Sequence, residues 1–148
     1  FVERSAAHMA HFWSSTQGLL QQQVSQLDGS VEARRRLANE IARLALEYVR
    51  NQLLNRREHL LAEQAFQQEA LLNPRLHALV RSHRQILLQG VTHFFQVLGS
   101  QQPEQDAKLL TAIILRMEYQ GLLEGVEHLD SEDMLAILKR YMHLVLGL

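Results

Sequence analysis

EQDAKLLTAIILRMEYQGLLE, residues 104–124, and EDMLAILKRYMHLVLGL, residues 132–148, are both apolar on more than one side of a helix. In the first, Leu110, Ile114, Met117 and Gly121 make one stripe, Leu109 and Ile113 a second line, and Ala112, Leu115, Tyr119 and Leu122 a third. In the second, Met134, Leu138, Tyr141 and Val145 form a seam, and Leu135, Ile137, Met142, Leu144 and Leu146 spread well beyond it. A surface helix of a monomer needs one apolar stripe. Large exposed apolar patches mark partner or membrane surfaces. The surplus therefore predicts a subunit interface, with a second copy of the chain as partner. The residues expected to carry it are Leu109, Ile113 and Arg116 in the first stretch, and Leu135, Leu138 and Met142 in the second. Two central core helices of a monomer would satisfy the same pattern.

Working back from these helices, the apolar spacing is 3 and 4 almost throughout, which is the helical signature, and no strand pattern appears. Two prolines and seven glycines are too few for the many turns of an all-β domain. A first helix is expected over about 2–26, with Ala6, Met9, Trp13, Leu20, Val24 and Leu27 on one face. It opens in mid-pattern with no N-cap, so residues upstream of Phe1 are expected. Asp28-Gly29-Ser30 breaks the chain, and Ser30 can cap the next helix. That helix is expected over about 31–54, with Leu37, Ile41, Leu44 and Tyr48 repeating at 4, 3 and 4. A third follows over about 56–72, with Leu60, Leu61, Ala65 and Phe66 inward. Asn73-Pro74 is a strong boundary, because the residue before proline avoids the helical region and proline suits the first helical position. The fourth helix, about 74–98, carries Leu76, Val80, His83, Leu87, Val91, Phe94 and Leu98 on its stripe. Pro103 opens the fifth, with Glu104 and Asp106 at its positive dipole end, and Ser131 caps the sixth. The expectation is one all-α domain of six helices with short connections.

At 148 residues, 47% hydrophobic and 21% charged, the chain is long and apolar enough to fold around a real core. No stretch reaches the ~20 apolar residues of a membrane span. The first residues given do not have the charged-then-apolar layout of a signal peptide. The absence of cysteine excludes disulfides, thiolate metal sites and a cysteine nucleophile. A cytoplasmic location is the default. The net charge of −1 shows no basic excess of the kind a nucleic-acid-binding domain carries. Arg34-Arg35-Arg36 is the only dense basic cluster; Glu32 and Glu40 flank it, and it reads as a solvated helix face.

The tests for catalytic chemistry return little. No glutamate has a histidine three residues later, which tells against a di-iron carboxylate bundle. His8 and His11 could share a helix face, but two ligands are not a metal site, and an exposed polar pair explains them as well. Gly121-x-x-x-Gly125 lacks the lysine of a phosphate-binding loop and fits a close helix contact better. No nucleophile elbow exists. Neither an enzyme, a metal nor a cofactor is expected. The informative residues are polar groups on apolar faces. His83 is either a core histidine satisfied by its neighbours or a polar group lining a cavity. Arg116 and Glu118 interrupt the fifth helix, and buried charges must be paired or face water. A salt bridge across the interface, an exposed face or the orientation of a ligand would each account for them. Trp13, Tyr48, Phe66, Phe94 and Tyr119 come from five helices, and either pack the core or wall an apolar pocket.

Three segments resemble the C-terminal regulatory domain of the TetR family of bacterial transcriptional regulators. Glu58 to Phe66 followed by Glu69 to Leu76 is similar to that family's helix pair joined at a proline. Leu98-Gly99 with Pro103-Glu104 resembles its turn into the penultimate helix. Leu115 to Leu122 resembles the middle of that helix, where a glycine is common, although Gln120 stands where many relatives have aspartate. The resemblance implies a six-helix orthogonal bundle that dimerises through its last two helices, and a helix-turn-helix DNA-binding domain ahead of Phe1. It also implies a cavity for a small apolar or aromatic effector, with Trp13, Tyr48, Phe66, His83, Leu87, Phe94 and Met117 as the expected lining. Effector binding would then shift the spacing of the DNA-binding heads. A ligand-free helical interaction module is the competing expectation; it calls for a filled core.

Overall fold

The computed structural model describes His11 and residues 30–148. Apart from His11, which is exposed, the expected first helix lies outside the described residues, and Trp13 with it. The described chain is all-helical. Its elements are α1 (Val31–Asn55), α2 (Arg57–Leu72), α3 (Pro74–Val97), α4 (Pro103–Glu124), a short 3-10 turn (Val126–His128) and α5 (Ser131–Val145). No strand occurs among the described residues.

The boundaries follow local chemistry. Ser30 caps α1 by accepting a hydrogen bond from the Ala33 N–H at 3.1 Å. Asn73 is extended, as a residue before proline must be, and its side chain accepts from the Arg75 N–H at 3.1 Å while Pro74 opens α3. The α5 cap is Asp130, one residue earlier than expected; its carboxylate accepts from the Asp133 N–H at 3.0 Å. Ser100 donates to Asp106 across the turn into α4 at 2.5 Å.

α1 is the hub. Its buried residues, Leu37, Ala38, Ile41, Ala42, Ala45, Leu46, Tyr48, Val49, Gln52 and Leu53, cover far more than one stripe. It packs against α5 above all, then α4 and α2, while α3 packs on α4 and α2. The three alanines let neighbours come close. α5 runs antiparallel to α1: His143 Nε2 meets Asn39 Oδ1 at 2.9 Å, and Arg34 Nη1 donates to the Leu146 carbonyl at 3.2 Å. The arginine run is therefore not uniformly solvated. Arg34 turns in to satisfy the C-terminal end of α5, where a cation suits the helix dipole, while Arg35 and Arg36 stay exposed.

Met134, Leu138 and Met142, four residues apart, form the buried face of α5. This corrects the expected interface. Leu138 and Met142 are 0% and 1% exposed within the protomer, because the seam they belong to belongs to the same core cluster as the buried face of α1. Leu135 is half-buried at the edge of that cluster, as is Ile113, whereas Leu109 and Arg116 are exposed. The outward apolar residues of these helices are Leu109, Tyr119 and Leu123 on α4, and Ile137 and Leu144 on α5. Tyr141 ties the two helices by donating to the Asp106 carbonyl, and its ring meets Phe95 edge-on at 6.5 Å.

α4 meets α1 at Gly121. A methyl group there would lie 2.9 Å from Leu53 Cδ2, closer still to Leu53 Cδ1, and 3.2 Å from Leu129 Cδ2. Leu53 is fully buried, so it has little room to swing aside. Gly121→Ala gains up to ~1 kcal/mol of helix propensity. Overpacking costs typically ~1–3 kcal/mol and should win. Urea denaturation of Gly121→Ala is expected to show a loss of about 1 kcal/mol or more, and Gly121→Val a larger one. A more stable alanine variant would mean that Leu53 gives way freely.

Candidate functional site

Four polar side chains lie among the buried residues of an otherwise apolar interior: Gln52, His83, Thr111 and Glu118. Gln52 is on α1, four residues after Tyr48 on its inward face. His83 is on α3. Thr111 and Glu118 are seven residues apart on the buried face of α4, with Ala107, Ile114 and Gly121.

Glu118 is the centre of the group. It is 2% exposed and has no ion-pair partner among the described residues. The Gln52 amide hydrogen-bonds its carboxyl group, and the Gln52 carbonyl in turn accepts from Arg56 Nη1 at 3.1 Å. Glu118 Oε2 has no hydrogen-bond partner among the described residues. Burial, then the nearby Glu63 carboxylate, push the Glu118 pKa up to about 8; the Gln52 hydrogen bond and the Arg56 charge pull it down by less. At neutral pH it is thus mostly a neutral acid. A charged carboxylate in this place would carry a desolvation cost that one amide and one more distant guanidinium do not offset. The Tyr48 hydroxyl is held well above the ordinary phenol range by burial and by the Glu118 and Glu63 carboxylates.

His83 is buried, and neither ring nitrogen has a hydrogen-bond partner among the described residues; the same is true of Thr111 Oγ1. The reading of His83 as a core histidine satisfied by its neighbours therefore falls. α3 and α4 form an antiparallel pair across the turn at 98–102 and pack along each other. At ~1.5 Å of rise per residue, His83 and Glu118 both stand about 21–23 Å from that turn, at one level of the pair.

Of the expected pocket residues, Tyr48, Phe94 and Met117 belong to one buried cluster, and Leu87 packs against it. Phe66 is only half-buried and is not part of that cluster. Phe94 stacks edge-on against Phe95 at 5.6 Å, a core contact. Arg116 is exposed, with its guanidinium 5.7 Å from the Tyr119 ring centre, and takes no part. A salt bridge across the interface or an exposed face is overturned for Glu118 by its burial within the chain, whereas Arg116 does lie on an exposed face. Gln52 and Thr111 were not anticipated. Both sit at helical spacing on faces that are otherwise apolar, a signal of the same kind that singled out His83. No group of three or more metal-ligating side chains occurs among the described residues, and none of their helices is long and apolar enough to cross a membrane. No family model and no curated protein matches the sequence.

The raised pKa fixes the sign of a pH dependence. Folded Glu118 keeps its proton to about 8, whereas the unfolded chain releases it near 4.5. The unfolded state thus binds fewer protons between these limits, and stability falls as pH rises through the window, by up to about 1.4 kcal/mol per pH unit. Glu118→Gln mimics the neutral acid. Denaturation at pH 5 and pH 8 should find the variant close to wild type at the lower pH and more stable than wild type at the higher. An equal difference at both pH values would count against a buried, protonated Glu118.

Proposed function

We propose that the chain is the effector-binding and dimerisation domain of a TetR-like transcriptional regulator, a six-helix orthogonal bundle that takes a small apolar or aromatic effector. The observation that supports this most is the set of buried polar atoms without partners on His83, Thr111 and Glu118. Interiors rarely hold such atoms unless a role or a bound molecule accounts for them. A helical module that only docks another protein has no use for four of them inside.

In this reading the effector completes those hydrogen bonds and is covered by Tyr48, Leu87, Phe94 and Met117. Because it binds one arrangement of α1, α3 and α4 better than another, it shifts the population between them. The N-terminal segment passes the shift to the DNA-binding heads of the full-length regulator, whose spacing must match half-sites about 34–36 Å apart. Coupling of ~1–3 kcal/mol is enough for such control. DNA contact belongs to those heads, and the regulator works in the cytoplasm.

The dimer uses the outward faces of the last two helices rather than the seam expected from the pattern. Leu109, Ala112, Arg116, Tyr119 and Leu123 fall on one exposed line of α4, and Ile137, Arg140 and Leu144 on one of α5. Apolar residues at this density on two neighbouring helices suit a second copy.

A ligand-free interaction module is favoured by two features, the burial of Tyr48, Phe94 and Met117 in one core cluster and the exposure of Leu71 and Leu72 at the end of α2, 73% and 84%. A thermal-shift panel of apolar and aromatic compounds separates the two readings. Stabilisation of the wild type that is lost in His83→Phe supports the effector domain; no stabilisation across the panel rejects it. Size-exclusion chromatography tests the interface. Leu123→Glu changes a residue 70% exposed in the protomer and should give a folded monomer. Leu138→Glu should instead unfold the protomer, since an unpaired buried charge costs about 3–5 kcal/mol. A dimer that survives Leu123→Glu and Ile137→Glu together rules this face out.

A further inference from the structure

We infer that the groove between α2 and α3 binds a small organic acid, an anionic head on an aliphatic body. The groove shares no residue with the buried polar group around Glu118, and the inference does not rest on the effector-domain reading. α2 and α3 join at the Asn73-Pro74 elbow and pack against each other. Between them lies an open groove of about 370 Å³, within the ~300–1,000 Å³ usual for small-molecule sites. Its floor is apolar: Ala70 is buried and Val80 half-buried, with Leu71 as a wall. His77, Arg81 and Arg84 line the α3 side at spacings of 4 and 3, so one line of that helix carries them all. The polar residues facing them from α2 are Gln67 and Gln68, and no acid lines the groove.

The two arginines lack the countercharge that others in this chain have. Arg35, Arg43 and Lys108 find acids three or four residues away on their own helices. α3 offers none, because no Asp or Glu occurs between Glu69 and Glu104. Glu69, two residues from both Gln67 and Leu71, is turned to the far side of α2 at ~100° per residue. Glu63, further back on α2, does not line the groove either. Arg81 and Arg84 have no ion pair or hydrogen bond among the described residues. They are also like charges one helical turn apart, an unfavourable arrangement. An anion relieves it, and the guanidinium fork matches a carboxylate with charge-assisted hydrogen bonds, roughly twice as strong as neutral ones. The aliphatic body then covers Ala70, Leu71 and Val80, which removes apolar surface from water. A cationic ligand would be repelled, and a neutral one would leave both guanidiniums uncompensated.

Three probes test this, octanoate, octan-1-ol and inorganic phosphate, titrated into the full chain at pH 7.5 and low salt and followed by the amide signals in two-dimensional NMR. Octanoate is expected to bind at least tenfold more tightly than either of the others. It should shift the amides of residues 67–71 and 77–81 rather than those of Tyr48, Thr111 and Glu118, and its affinity should fall several-fold as salt screens the arginines. Replacing Arg81→Gln and Arg84→Gln together changes two exposed side chains, leaves the fold intact, and should remove the preference for octanoate over octan-1-ol. Four results would each overturn the inference: equal binding of the alcohol, phosphate binding as tightly as octanoate, a preference that survives the double substitution, or no binding of octanoate. Shifts confined to Tyr48, Thr111 and Glu118 would overturn it as well, and would leave the effector-domain reading standing.

Discussion

The rest of the protomer depends on α1 being apolar around most of its circumference. A helix in that condition is stable only if neighbours cover it on several sides, and α5, α4 and α2 do so. The alanines at 38, 42 and 45 allow close approach, and Gly121 on α4 does the same opposite Leu53. Polar contacts then set direction. The His143–Asn39 pair and the Arg34 contact with the Leu146 carbonyl hold α5 antiparallel to α1.

That packing has a consequence for chemistry. A hub surrounded by helices has no water to solvate a polar group on its inward face. Gln52 is satisfied by Arg56 and Glu118, but Glu118 has no countercharge of its own and so retains its proton. A buried neutral acid costs stability, as do a buried histidine and a buried threonine without hydrogen-bond partners among the described residues. Buried polar groups without partners are rare in folded proteins, and each one asks for an explanation in terms of a role or a bound molecule.

The same hub explains why the outward faces of α4 and α5 are apolar. Each of these helices has one stripe committed to the protomer's core, Ala107–Leu110–Ile114–Met117 on α4 and Met134–Leu138–Met142 on α5. Beyond those stripes Leu109, Leu123 and Leu144 stay exposed, as does Tyr119, whose ring lies against the Arg116 guanidinium. The surplus seen in the linear pattern is real; which side of each helix holds it could not be read there.

Helix content and nearly every boundary were legible in the sequence, because they depend on local rules: 3–4 spacing, Ser30 as a cap, the extended residue before Pro74, the glycine at 99. Asp130 replaced Ser131 as a cap because either oxygen can reach the first turn and only the backbone path decides. His83 and Glu118 were legible as misfits on apolar faces. The sequence by itself thus determined the helices and marked the odd residues on them. The tertiary structure alone decided that Leu138 and Met142 face α1, that Arg116 lies outside, and that Gln52, Glu63 and Arg56 surround Glu118. Amphipathic spacing tells which residues share a face, but two apolar faces on one helix are equivalent until a neighbour packs against one of them, and a charge has no environment until distant segments meet around it.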